Sequence, residues 1–196
     1  MSFVNLVMTD QFISVLSDGQ VTQDGQIIES HFKKFETSPQ GFVIAITGFE
    51  KITNDIRKKF YYQPQLNFDE AKALLLHELE HYAMKHLAFS GLLSFNALMA
   101  GFVGTDSGQK EGLAYTFHVE NGQITEKAYK KSAVLSLLPD DISFNPNLII
   151  SKHLADVPKA HLAFHIPNLQ RNALYQVANA SKTVNHVYFQ DIIKKD

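Results

Sequence analysis

Ser2-Phe3-Val4-Asn5-Leu6-Val7-Met8 opens a stretch that continues through Asp18-Gly19-Gln20-Val21-Thr22 and Lys33-Lys34-Phe35 to Thr47-Gly48. Ser2, Asp18 and Lys34 stand sixteen residues apart at each step. Short β-branched or aromatic runs at 3–9, 12–17, 26–30 and 42–47 separate them, punctuated by Thr9-Asp10, Asp18-Gly19, Asp24-Gly25 and Pro39-Gln40-Gly41. This pattern predicts strands with tight connections. Ser2 then starts the first strand, Asp18 closes the second, Lys34 lies on a further strand after 27–30, and Gly48 follows the end of the fourth. All of them can meet at one end of a sheet.

A serine at position 2 becomes the first residue once Met1 is removed, which a small second residue permits. Its hydroxyl is then a nucleophile and its own α-amine, with an ordinary pKa of about 7.7–8.0, is a base already in place. A lysine ammonium nearby disfavours the protonated amine, provided a carboxylate holds that lysine. Lys34 and Asp18 are the candidates. The glycine at 48 lets the backbone approach a substrate carbonyl closely and offer its N–H to an oxyanion.

Ser2, the Asp18-Gly19-Gln20-Val21-Thr22 run, Lys33-Lys34-Phe35 and Thr47-Gly48 together resemble the N-terminal half of proteasome β-subunits and of their simpler bacterial ATP-dependent relative. These are N-terminal-nucleophile (Ntn) hydrolases. There the nucleophile is a threonine, followed at the same spacing by aspartate and lysine; here serine takes its place. The resemblance implies an α+β fold, a four-layer αββα sandwich, with residues 1–196 forming a single Ntn-hydrolase-like domain. It implies catalytic roles for Ser2, Asp18, Lys34 and Gly48, and substrate binding by Thr22 and Thr47. It further implies a peptide or protein substrate, a homo-oligomeric ring, an ATPase partner, and no metal or other cofactor. The chain departs from the family after Gly48, where bulky Phe49 and then Glu50-Lys51 stand in place of small residues and an aspartate. Asp140, Asp141 and Ser143 are of the types that support the terminal amine in the family, but no role carries over to them.

Composition sets the outer limits. The chain has 196 residues, 45% of them hydrophobic, and a net charge of −2, which suits one well-packed core. The absence of cysteine removes disulfides, thiol nucleophiles and Cys-ligated zinc, and suits a reducing, cytoplasmic setting. The apolar start at 3–8 has no basic flank and is broken by Thr9-Asp10, unlike a signal peptide. No run reaches the ~18 apolar residues of a membrane span. Eighteen basic and twenty acidic residues nearly balance without a basic block, which argues against nucleic acid as partner.

Beyond Gly48 the period changes. Apolar Phe49, Ile52 and Ile56 among charges predict a helix over 49–60, and Asn67 followed by Asp69-Glu70 opens a longer one. Strands are expected at 95–103, 113–119 and, after the Glu120-Asn121-Gly122 turn, 123–125. A helix is expected over 126–138; 144–154 can be read either way; 167–181 reads as a helix with Pro167 in its opening turn, and 186–193 as a closing strand.

One motif competes. His77-Glu78-Leu79-Glu80-His81 has the zincin pattern, with two histidines one helical turn apart and a glutamate between them as base. On a helical projection Leu75, Leu79, Tyr82 and His86 share one face, while His77 and His81 point to the other with Met84, near Lys85, toward solvent. His118 and His161 are the nominal third ligands. Two alternatives therefore stand beside the hydrolase reading: a non-catalytic structural or binding subunit of the same family, and a zinc peptidase using His77, Glu78 and His81.

Overall fold

Residues 2–23, 25–87, 94–106 and 108–195 are described by the computed structural model, the side chains of 85–87 excepted. The N-terminal run forms β1 (Val4–Met8) and β2 (Phe12–Asp18), every residue of which is buried. They pair antiparallel, with Val4 opposite Ser17 and Met8 opposite Ile13. A hairpin of β3 (Val21–Gln23) and β4 (Gln26–Glu29) follows, then β5 (Phe35–Ser38) and β6 (Phe42–Thr47).

Next come helices α1 (Glu50–Tyr61) and α2 (Phe68–Leu87). The start of α2 is fixed by a capping box: Asn67 Oδ1 accepts from the Glu70 amide and Glu70 Oε2 accepts from the Asn67 amide, both at 3.0 Å. Strands β7 (Ser94–Gly104), β8 (Lys110–Glu120) and β9 (Gln123–Lys130) form a meander, and β10 (Ala133–Leu137) returns to β1. Helices α3 (Pro146–Ala155) and α4 (Leu162–Ala180) and strand β11 (Tyr188–Lys194) complete the described chain.

Among the described residues there are two main sheets, ordered β10-β1-β2-β11 and β5-β6-β7-β8-β9, with β3-β4 a separate ribbon. All the pairings are antiparallel. The described residues form a mixed α/β arrangement with four α-helices. Side-chain alternation along the strands distributes its apolar residues among three buried clusters. Ile44 and Ile46 of β6 pack with Ile52 and Ile56 of α1 and Leu75 and Leu79 of α2. Their neighbours Val43 and Ala45 join Leu6 of β1 and Ile13 and Val15 of β2. Phe3, Val7 and Leu16 pack with Ile150 of α3 and Ile166, Leu174 and Val177 of α4. No described helix is long and apolar enough to cross a membrane.

A buried polar network anchors α4. Gln170 Nε2 donates to Asn5 Oδ1 at 2.9 Å and to the Ser14 carbonyl at 3.1 Å, and Gln170 Oε1 accepts from Ser14 Oγ at 2.6 Å. All three residues are fully buried, so each needs the others.

Three expectations are corrected and one open reading is resolved. The helix expected over 126–138 is instead the rest of β9 and all of β10: β9 stays paired to β8 as far as Lys130, and Lys131, at φ 70°, makes the turn. The Glu-Lys-Ala-Tyr-Lys-Lys run favours helix by propensity, but a partner strand of eleven residues overrides it. Segment 144–154 resolves as α3, where Asn145 accepts from the Asn147 amide and Pro146 opens the helix. Pro167 lies inside α4, which begins at Leu162. Lys34 is not on a strand; it directly precedes β5. The strand expected at Lys34 is β5, one residue further on, and β3 has no counterpart among the expected strands.

Candidate active site

Asp18 and Lys34 form the centre of the site. Asp18 is fully buried and Lys34 is 3% exposed. Lys34 Nζ donates to Asp18 Oδ2 at 2.5 Å and to the Gln20 carbonyl at 2.6 Å. Asp18 Oδ2 also accepts from the Gln20 amide at 2.9 Å, while Oδ1 accepts from the Phe3 amide at 2.8 Å. The carboxylate therefore fixes the peptide that immediately follows Ser2. A further contact, from the Lys34 amide to Ser17 Oγ at 3.3 Å, ties the start of β5 to β2.

Burial pushes the Asp18 carboxyl above its usual range, against the pull of the Lys34 ammonium and the two amides. The Lys34 ammonium is drawn below the usual lysine range by the same burial, with Asp18 opposing and the Arg57 guanidinium adding to the fall. Both shifts run toward a neutral pair, because the loss of water outweighs the pairing.

Ser2, Thr22, Lys34, Thr47 and Gly48 line one cleft of about 50 Å³. The sequence-predicted residues are thus brought together at the junction of β1, β3, the β5 entry and the end of β6. Gly48 has φ +135°, and a Cβ there would lie 2.6 Å from Phe95 Cβ, so both conformation and space require glycine. Thr47 is 2% exposed and its Oγ1 has no hydrogen-bond partner among the described residues. Thr22 Oγ1 accepts from Gln20 Nε2 at 3.1 Å. Met1 lies outside the described residues.

Residues outside the predicted site set hold the turn after Asp18. Asn185 Oδ1 accepts from the Gly19 amide, and Asn185 Nδ2 donates to the Ser30 carbonyl, both at 3.1 Å. A side chain at Gly19 would meet that carbonyl at 2.8 Å. Gln20 Nε2 donates to the Lys182 carbonyl at 2.8 Å, and the Lys182 amide donates to Asp141 Oδ2 at 3.0 Å. Although its slight burial works the other way, Asp141 is held below the usual carboxylate range by hydrogen bonds from Ser181 and the Lys182 amide. No local pattern marks Asn185, whose contact spans 166 residues. Gln20, inside the Asp-Gly-x-x-Thr run, had such a signal.

Geometry separates the parts of the competing motif. His77 and His81 are exposed, whereas Glu78 is 3% exposed and its Oε1 lies 2.6 Å from Lys59 Nζ of α1. The glutamate thus faces the interhelical contact and the histidines face away from it. His118 Nδ1 is 2.7 Å from Asn96 Oδ1, and His161 stacks on His165. Among the described residues no three His, Cys, Asp or Glu side chains are grouped to hold a metal. The His86 side chain, expected on the buried face, lies outside the described residues.

No protein-family model and no curated protein matches the chain. A solved structure does: eukaryotic HslV from Trypanosoma brucei, at 12% sequence identity and a TM-score of 0.57, covering 98% of this chain and 99% of that one. With both chains matched over almost their whole length, this chain has the fold of HslV.

Proposed function

We propose that this chain is a proteasome-like Ntn hydrolase that cleaves amide bonds in peptides or proteins, with Ser2 as nucleophile after loss of Met1. The observation that carries the reading is the buried Asp18–Lys34 pair, whose carboxylate accepts from the Phe3 amide and whose lysine lines one cleft with Ser2 and Gly48. The fold shared with HslV, a proteasome-like Ntn protease, supports the same class.

In this mechanism Ser2 Oγ attacks the scissile carbonyl carbon and its proton passes to the Ser2 α-amine. Lys34, held by Asp18, disfavours a resident proton on that amine and so keeps it available as base. The developing oxyanion accepts from the Gly48 amide. The carbon–nitrogen bond then breaks, the α-ammonium returns its proton to the leaving amine, and an ester to Ser2 remains. Water attacks that ester by the same proton route and frees the enzyme. Thr22 aligns the substrate backbone, and the unpartnered Thr47 hydroxyl supplies a further hydrogen bond to it. No cofactor takes part.

The proposal extends to architecture and setting. The three apolar clusters, in which successive residues of β6 divide between a helix-containing core and a sheet-to-sheet core, support a four-layer αββα sandwich in a single domain. A cytoplasmic homo-oligomeric ring served by an ATPase is the assembly that follows, without nucleic acid or membrane as partner. The test pairs intact mass with turnover: the native chain should lack Met1 and hydrolyse fluorogenic peptides, and Ser2→Ala should abolish this. Quantitative retention of Met1 would instead favour the non-catalytic reading.

A further inference from the structure

We infer that the site is built for a small, uncharged side chain on the acyl side of the scissile bond, and that Phe32 sets the size limit. This rests on the hydrolase reading above and names its substrate class. The cleft beside Ser2 measures about 50 Å³. Ligand sites for larger groups run to about 300–1,000 Å³. The small cleft beside Ser2 suits a methyl or hydroxymethyl group better than an isobutyl group or a benzene ring.

The walls are fixed as well as close. Val21 is 8% exposed and Ile46 2%, each on a strand, and Thr53 on α1 spends its hydroxyl on the Glu50 carbonyl at 2.8 Å. Phe32, like Ser2, Lys34 and Gly48, lies outside the strands and helices, but its ring is pinned from behind. The Arg57 guanidinium lies over its ring at 4.8 Å and is itself ion-paired to Glu36. Swinging the ring aside breaks that stack over a guanidinium that is only 12% exposed. Glu50 at the same cleft adds a carboxylate that repels an acidic side chain, because the Lys34 ammonium there is already paired to Asp18. The discrimination is thus steric first and electrostatic second.

The experiment compares kcat/KM of the Met1-free protein for fluorogenic peptides that differ only at the acyl-side residue: alanine, serine, leucine, phenylalanine and glutamate. Alanine and serine should exceed leucine, phenylalanine and glutamate by at least about tenfold, the scale on which a pocket rejects extra methylenes. In Phe32→Ala the leucine-to-alanine ratio should rise by a similar factor. Equal or faster cleavage after leucine or phenylalanine by the wild type overturns the inference while leaving the hydrolase reading intact, and so does an unchanged ratio in a folded Phe32→Ala. If that variant does not fold, the wild-type series alone decides. Failure to cleave any peptide with Ser2 exposed overturns both.

Discussion

At Lys34 a cation with 3% exposure is held by one carboxylate and one carbonyl, and its removal leaves Asp18 buried without its counter-charge. Lys34→Met should therefore lower stability by about 3–5 kcal/mol in denaturant titrations. Its sign with pH follows from linkage. Because the folded-state proton affinity of Lys34 is lowered, the unfolded chain binds more protons over the window that ends near the unfolded lysine value of about 10.4, so stability from this group rises with pH across that window. In the variant that gain is absent. Asp18, already raised by burial and now deprived of its ammonium, also penalises the variant as it ionises. The stability gap between wild type and Lys34→Met should widen from neutral pH toward pH 10, and a gap that narrows contradicts the assignment. Thr47→Val makes a sharper test of substrate contact. Removing an unpartnered buried hydroxyl should leave stability equal or higher by about 1 kcal/mol, while peptide turnover falls about tenfold. Unchanged turnover would remove Thr47 from the site. Ser2, Asp18 and Lys34 were legible as a candidate cluster because a fixed spacing along one continuous segment marks them, and Gly48 because it follows the end of a strand. Asn185 and Arg57 were not, since each reaches the site only after distant elements have packed.

At the level of elements, a capping box sets the start of α2. Asn67→Ala removes one of its two reciprocal bonds and should cost about 1 kcal/mol, read as a lower thermal midpoint. No change in midpoint would mean that packing alone fixes that helix end. Sequence reading located β1, β2, β6, α1, α2 and the β7–β8 strands because each carries its own period and its own punctuation. It failed over 126–138, where Glu126, Lys127, Lys130 and Lys131 read as helix-forming while the pairing of β9 with β8 and of β10 with β1 imposes extended backbone. Lys34 was misplaced onto a strand, since what holds it is its contacts to Ser17 and Asp18 rather than a ladder. The Gln170 network makes a further prediction. Gln170→Leu strands Asn5 and Ser14 without their partner and should destabilise by about 2–3 kcal/mol, whereas a smaller loss than Asn67→Ala would show that the network is dispensable.

For the whole molecule, three apolar clusters join two sheets and four helices of the described residues into a frame that brings the start of β1, β3, the entry to β5 and the end of β6 to one cleft. The frame was legible as strands, then helices, then strands, and its match to HslV over 98% of the chain agrees with that order. Assembly was not legible, because an interface is a property of exposed surface rather than of any local period. Native mass spectrometry should find a closed ring of identical chains, and a monomer at micromolar concentration would contradict that part of the proposal. The central claim is that a free amine and a hydroxyl on residue 2 act together. A peptide epoxyketone with alanine at its reactive end reacts with both groups, so incubation with the Met1-free native protein followed by peptide mapping tests the claim most directly. The account predicts one adduct per chain, on Ser2, that is lost in Ser2→Ala; an unmodified Ser2 after saturating exposure would contradict it.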